Sequence, residues 1–421
     1  MDSKSVLWII PKNFSFLNRL FPLLLFLFIY NGILQAQWVQ TNGPKSGLIS
    51  CFAISGTNLF AGDEYNGVFL STDSGTNWTA VNNGLTDLAV YSIAINGTNI
   101  FVGTKNSGVF LSTNNGSSWT AVNNGLTSKV IIALAVNGMN IFAGTSGGVF
   151  LSTNNGSSWT AVNNGLTNYI IYSFAISGEY LFTGTYYTVA RSTNNGTNWI
   201  ELKNGLTPNS FYMALAISGT NIFAGTGNVG VFLSTNNGGT WTSANNGFTS
   251  TGVRSFAVFD MNIFAGNVGG GVFLSTDNGL FWNDVNSGLT NYNIYSLATI
   301  GTNIFAGTYL GGIWRRPISE MITSVKEAPG KELPVGYSLE QNFPNPFNPT
   351  TTLKFSLPKA THVTLSIYNA MGQEVSKLIS KDMSAGVFTA EWNASGFASG
   401  VYYYRIVAGG FVETKKLMFL K

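Results

Sequence analysis

Residues 91–127 read YSIAINGTNIFVGTKNSGVFLSTNNGSSWTAVNNGLT. The stretch divides into four short apolar runs, each closed by a turn signal. Tyr91–Ile95 is a first strand, and Asn96-Gly97-Thr98 turns into a second, Asn99–Gly103. Val109–Ser112 is a third, and Trp119–Val122 a fourth. Asn-Gly favours a tight hairpin because both central positions need φ > 0. Apolar residues on both faces of strands two and three suit a sheet packed on each side.

The unit recurs along the chain. Tryptophans stand at 38, 78, 119, 159, 199, 241 and 282, at intervals of 40 to 42 residues. A period near 41 with four strands per unit is the pattern of a β-propeller blade rather than a solenoid turn. The first three strands occur seven times, starting near Ile49, Tyr91, Ile132, Tyr172, Met213, Arg254 and Tyr295. The Trp strand also occurs seven times, but its first copy, Trp38–Gln40, precedes the first triple. The last triple ends at Gly311-Gly312-Ile313-Trp314 with no Trp strand after it. The N-terminal strand is therefore expected to complete the seventh blade and close a ring without a long free edge.

Composition agrees. Charged residues make up 9% of the 421 residues, glycine contributes 49, and aromatics reach 14%. Low charge with many glycines fits short strands and tight turns, and excludes a helical bundle or a coiled coil. Residues 37–316 hold 8 Lys/Arg and 9 Asp/Glu, so no basic patch of nucleic-acid size exists. A single cysteine, Cys51, excludes an intrachain disulfide, and a single histidine, His362, leaves little material for His-based metal sites or catalytic triads. Cys51 lies in an inner-strand run and reads as a buried small hydrophobe. No nucleic-acid partner, cofactor or metal is expected.

Between strands three and four lies Ser-x-Asp-x-Gly-x-x-Trp, with its acidic position at Asp73 and Asp277 and replaced by Asn114, Asn154, Asn194 and Asn236 in four copies. The motif resembles the Asp-box, or BNR, repeat of sialidases and related propellers. Its expected chemistry is structural. The Asx side chain accepts backbone N–H bonds, the glycine supplies φ > 0, and the tryptophan packs beneath.

The two ends have other compositions. Lys4, Lys12 and Arg19 precede an apolar run, Leu20–Tyr30, and Leu34-Gln35-Ala36 offers a cleavage site. Residues 1–36 read as a cleaved export signal. The run is shorter than the ~20 residues a membrane span needs, so no permanent anchor is expected. Residues 317–336 read as a polar, Pro-containing linker. Beyond them, alternating runs at 352–357, 362–368, 374–379, 387–392, 401–407 and 411–419 predict a small antiparallel sandwich of about six or seven strands. NFPNPFNPTTTLKFSLP, VTLSIYNAMGQEV and the closing SGVYYYRIVAGGFVETKKLMFLK, within residues 337–421, resemble the type A C-terminal sorting domain of the type IX secretion system. The resemblance implies an Ig-like fold, the secretion machinery as partner, and a destination outside the cell or on the outer membrane of a Gram-negative bacterium. It also implies later removal of the domain.

Comparison between the repeats separates scaffold from variation. GTNIFAGT, GVFLSTNNGSSW and NNGLT barely change. The loops joining strands two and three, and those leading to the next blade, differ in each repeat, and propeller connectivity puts both sets on one face. Loops on a rigid scaffold are where recognition concentrates. That face is rich in tyrosine: Tyr65, Tyr169, Tyr186, Tyr187, Tyr212, Tyr292 and Tyr309. A flat ring with a polar tip suits sugar or peptide surfaces. These are the candidate ligand-binding residues, for a glycan or a surface protein, without catalysis. The alternative is a glycan hydrolase, which needs two carboxylates, and Asp63, Glu64 and Asp87 are the nearby acids. A sialidase reading has few arginines to draw on: Arg191, Arg254, Arg315 and Arg316.

Overall fold

The computed structural model describes residues 37–321, 325–327, 334–394 and 397–420. The expected export signal, 1–36, lies outside them.

Residues 39–317 form seven four-stranded antiparallel sheets. Sheet one comprises Ile49–Ser55, Asn58–Asp63, Gly67–Ser71 and Thr79–Ala80. Sheets two to six repeat this order, beginning at Val90, Ile131, Ile171, Tyr212 and Val253. Sheet seven comprises Ile294–Ile300, Asn303–Thr308 and Ile313–Pro317, with Val39–Gln40 as its outer strand. Val39 stands opposite Arg315 and Gln40 opposite Trp314, the closure expected from the displaced tryptophan strand. The first strands of successive sheets lie side by side, and that of sheet seven lies beside that of sheet one. The result is a closed β-propeller, and among the described residues the one helical element is a 3-10 turn, Ile318–Glu320.

Burial explains the periodicity. In each second strand the residues after the first asparagine or tyrosine are buried on both faces, as in Ile100–Thr104 and Ile141–Thr145. Each sheet thereby packs against both neighbours. Phe60 joins the core beneath sheet two, Phe101 that beneath sheet three and Phe305 that beneath sheet one.

The tryptophans hold the sheets to one another. The Trp119 backbone N–H donates to the Asn83 carbonyl at 2.9 Å, and its indole N–H to the Val81 carbonyl at 2.7 Å, both in the preceding repeat. Trp159, Trp199 and Trp282 repeat the pair of bonds. Trp38 repeats it onto Ser287 and Val285. The first asparagine of the near-constant Asn-Asn-Gly holds strands three and four together within its own sheet. Asn123 Oδ1 accepts the Val109 N–H at 2.7 Å while its Nδ2 donates to the Ser107 carbonyl at 2.9 Å. A Cβ at Gly84 would fall 2.2 Å from the Trp119 carbonyl oxygen, so the chain passes there only as glycine.

The C-terminal residues form an Ig-like sandwich of two four-stranded sheets. One contains Val325–Glu327, Gly386–Asn393, Thr350–Leu357 and Ser338–Leu339. The other contains Glu374–Met383, Thr361–Asn369, Gly400–Ala408 and Phe411–Phe419. The six longer strands fall on the expected runs. Two short ones bring the total to eight, and Val325–Glu327 lies inside the stretch read as linker. Asn342 is buried, with Nδ2 donating to Thr351 Oγ1 at 2.8 Å and to the Pro344 carbonyl at 3.0 Å. Phe347 is buried 5.2 Å from the Phe419 ring and 5.5 Å from that of Trp392. The segment 342–349 thus ties the start of the sandwich to its last strand.

Candidate ligand-binding face

Antiparallel order fixes which loops share a side. The turns between strands one and two lie with the Ser-x-Asx-x-Gly loops, and the other connections lie on the opposite face. The Ser-x-Asx-x-Gly loops are closed by their own side chains. Ser71 Oγ donates to Asp73 Oδ1 and accepts the Gly75 N–H, each at 2.9 Å, while Asp73 Oδ1 accepts the Asn77 N–H at 2.9 Å. Asn114, Asn154, Asn194, Asn236 and Asp277 take the same acceptor position. Hydrogen bonds from the Asn77 backbone and side chain hold the exposed Asp73 carboxyl down to about 2. The buried Asp277 is pushed up by desolvation, against bonds from Phe281 and Ser275.

On the opposite face Tyr65, Tyr169, Tyr187, Tyr292 and Tyr309 are exposed. Tyr186 packs edge-on between Tyr187, at 4.2 Å, and Phe211, at 4.5 Å, and Phe211 continues to Tyr172 at 6.1 Å. Tyr309 lies 6.2 Å from Tyr295. Tyr212 is placed elsewhere. It is fully buried, donates to the Thr207 carbonyl at 2.9 Å and fills the position taken by Ile49, Val90 and Ile131 in other sheets. Comparing those positions would have marked it as core.

Two of the three acids are occupied by turns. Asp63 is fully buried, and its Oδ1 accepts the Tyr65 and Asn66 N–H groups at 2.7 and 3.1 Å. Desolvation raises its pKa. Asp87 accepts the Ala89 N–H at 3.0 Å and, across to the next loop, the Asn106 N–H at 2.7 Å. Glu64 alone keeps its carboxylate clear of backbone donors. Desolvation raises its pKa, opposed by the charges of Lys105 and Arg254.

Sequence reading missed a ring of β-bulges. In all seven first strands the register slips by one residue near the start, at Ser50, Tyr91, Ile132, Tyr172, Met213, Arg254 and Tyr295. A bulge leaves one residue out of the ladder and re-aims its side chain. All seven are half-buried, whereas each preceding residue is a fully buried Ile, Val or Tyr. Among the described residues no cluster of three or more metal-ligating acidic, His or Cys side chains occurs. Cys51 is free, and burial pushes its thiol up to about 12, outside the range of a reactive thiolate.

An exported propeller with a C-terminal sandwich is the class these observations define. Residues 341–420 match the family described as the secretion system C-terminal sorting domain. The protein is a secreted or outer-membrane surface protein of a Gram-negative bacterium, exported through the type IX system. Among the described residues no helix is long and apolar enough to cross a membrane. No curated protein matches the sequence. Among solved structures, the chain is similar to the extracellular domain of a one-component system from B. thetaiotaomicron, at 16% identity and TM-score 0.57, over 83% of this chain and 48% of that one. It is also similar to PorZ, a surface component of the type IX secretion system of Porphyromonas gingivalis, at 15% identity and TM-score 0.53, over 91% and 61%. An ancestral GH74 enzyme gives 16% identity and TM-score 0.54, over 90% and 63%. The chain thus spans about half to under two thirds of these structures, and the likeness is one of fold.

Proposed function

We propose that the chain is a seven-bladed Asp-box propeller that binds a glycan or a protein partner through its variable face, without turnover. In this reading residues 1–36 are a signal, 37–316 the propeller, 317–336 a linker containing one short strand, and 337–421 a sorting domain that meets the secretion machinery. The observation that carries it is the contrast between the two faces. One is uniform and internally hydrogen-bonded, and the other exposes Tyr65, Tyr169, Tyr187, Tyr292 and Tyr309. Hydrolysis is less well supported. A two-carboxylate mechanism needs a free pair, and Asp63 and Asp87 are engaged by backbone N–H groups. The test is a glycan and surface-polymer binding array on the exported protein, run beside a turnover assay. Saturable binding without product supports the reading, and product formation overturns it.

A further inference from the structure

Asn-Gly occurs fourteen times among the described residues. In this pair an asparagine is open to attack by its own chain, because glycine puts no side chain beside the next backbone nitrogen. That nitrogen reaches the asparagine Cγ when its N–H is free to lose a proton to water and the peptide between the two residues can turn.

Twelve of the fourteen are held. In the five Ser-x-Asx-x-Gly loops that carry the pair, from Asn115-Gly116 to Asn278-Gly279, the glycine is buried and its N–H donates to the loop serine at 2.8 or 2.9 Å. In the five pairs at the seams between sheets, such as Asn83-Gly84 and Asn124-Gly125, the asparagine carbonyl accepts the tryptophan N–H of the next repeat at 2.8 or 2.9 Å. That bond fixes the peptide that would have to rotate. The Asn42 and Asn66 side-chain amides donate to Asn77 Oδ1 and to the Ser46 carbonyl.

The two remaining pairs sit at hairpin tips, on the face away from the exposed tyrosines. Asn96-Gly97 in sheet two keeps an amide contact, from Asn96 Nδ2 to Asn155 Oδ1 at 3.4 Å. Asn137-Gly138 in sheet three keeps none. Among the described residues neither the Asn137 side chain nor the Gly138 N–H has a hydrogen-bond partner. Gly138 has φ +60°, and a Cβ there would meet nothing within 4 Å. Met139 beside it is 70% exposed, and the local pair Asn137↔Asn140 closes the turn.

We propose that Asn137 is a self-modifying site, which deamidates in the folded protein ahead of every other described Asn-Gly pair. The Gly138 nitrogen gives up its proton to water and attacks Asn137 Cγ. A bond forms between that nitrogen and Cγ, the Cγ–Nδ2 bond breaks, and the proton returns through water to leave with Nδ2 as ammonia. Water then opens the cyclic imide at either carbonyl. Position 137 becomes an aspartate, or a β-linked aspartate whose main chain runs through Cβ and Cγ. Both products add a negative charge, and the β-linked one lengthens the strand end opposite Asn140 by one atom.

The test holds the exported protein folded at mildly alkaline pH and follows it by peptide mapping with mass spectrometry, beside a sample in denaturant. The folded protein is expected to convert Asn137 about tenfold or more faster than Asn115, whose loop must first break a hydrogen bond. Denaturant is expected to level the two rates. Asn137→Ser, which installs the residue that Ser55, Ser177 and Ser218 supply in sister sheets, is expected to remove the product at unchanged melting temperature. Ser55→Asn sets the pair before Gly56, at φ +59°, and is expected to create a second fast site. Equal rates at Asn137 and Asn115 in the folded protein overturn the proposal. So does faster conversion at any loop or seam pair, or a Ser55→Asn chain that stays unconverted at that position.

Discussion

The Ser296 hydroxyl donates to the Ile49 carbonyl at 2.7 Å, across 247 residues of chain. The same bond joins neighbouring sheets inside the ring, where Ser173 donates to the Tyr212 carbonyl at 3.3 Å. The seam between the last sheet and the first is built like the internal seams, with Trp38 as its tryptophan. Trp38→Ala is expected to cost about 3–5 kcal/mol, the range for deleting a buried large ring. Deleting residues 37–44 should lower the melting temperature further and expose the Ile313–Pro317 edge to pairing with other chains. Chemical denaturation and sedimentation read both effects. A monomeric deletion variant of unchanged stability would show that closure does not depend on this strand.

Asp73→Asn and Gly75→Val separate structure from chemistry in the Ser-x-Asp-x-Gly loop. Asn occupies the Asp73 position in four sister loops, so Asp73→Asn should be close to neutral at pH 7. Gly75 has φ +78°, and a Cβ there would lie 2.3 Å from the Phe305 ring. Gly75→Val should cost at least about 1–3 kcal/mol. Thermal unfolding with a binding readout measures both. Loss of binding in Asp73→Asn at unchanged stability would assign the carboxylate a chemical role.

Asp73 also gives a sign for acid. Its carboxyl sits at about 2 in the folded protein against an ordinary 3.8. A depressed folded value contributes stability above the unfolded pKa and loses it as pH falls through the folded one. Wild type should therefore lose more stability than Asp73→Asn between about pH 4 and 2, as followed by denaturation at stepped pH. Parallel curves would contradict the assignment.

Asp63→Thr tests the buried acid. Five sister positions hold threonine, and Thr104, for example, donates to the Gly108 carbonyl at 2.9 Å and accepts the Ser107 N–H at 3.2 Å. Asp63 Oδ2 is buried without a partner. The variant should be equal or more stable by about 1 kcal/mol at pH 7, because it removes that unpaired atom. Its pKa is raised in the folded state, so the gain should shrink as pH falls and the wild-type acid protonates. Loss of ligand binding would return Asp63 to the list of functional groups.

Phe347→Ala removes the ring that joins the segment 342–349 to Trp392 and Phe419. A cost of about 3–5 kcal/mol to the sandwich is expected, with retention of the chain inside the cell envelope. Fractionation and intact-mass analysis check this, and wild-type protein outside the cell should lack both the first 36 residues and the segment after about 336. Normal export of a destabilised Phe347→Ala chain would mean that the sorting signal acts without the folded sandwich.

Much of the propeller was legible because each repeat states its strands in the same order. In residues 91–127 the first strand runs Val90–Asn96 and the second Asn99–Thr104, each close to expectation. The fourth is shorter, Thr120–Ala121, because the Trp119 backbone N–H is committed to Asn83 of the preceding repeat. That use of tryptophan as a clamp between sheets depends on a neighbour that a single repeat does not reveal. Tyr212 looked like a loop residue because its repeat begins with an irregular segment, yet Val and Ile at the sister positions carried the answer. The bulges were hidden for another reason. A register slip depends on the partner strand, so nothing in Tyr91, Tyr172 or Arg254 announces that each leaves the ladder.

The two-residue outer strand Val39–Gln40 also sets the order of events in folding. Six sheets draw all their strands from one contiguous segment, and each can form from chain already made. Sheet seven cannot, because its outer strand is synthesised first and its inner strands last. Until the chain beyond Ile313 arrives, Trp38 has no complete seat, and bringing the two ends together carries the loop-closure entropy of the whole ring. A polypeptide cut short anywhere in the array therefore remains an open arc with two raw edges. Ring closure thus acts as a check on completeness, made by the first residues of the propeller on the last.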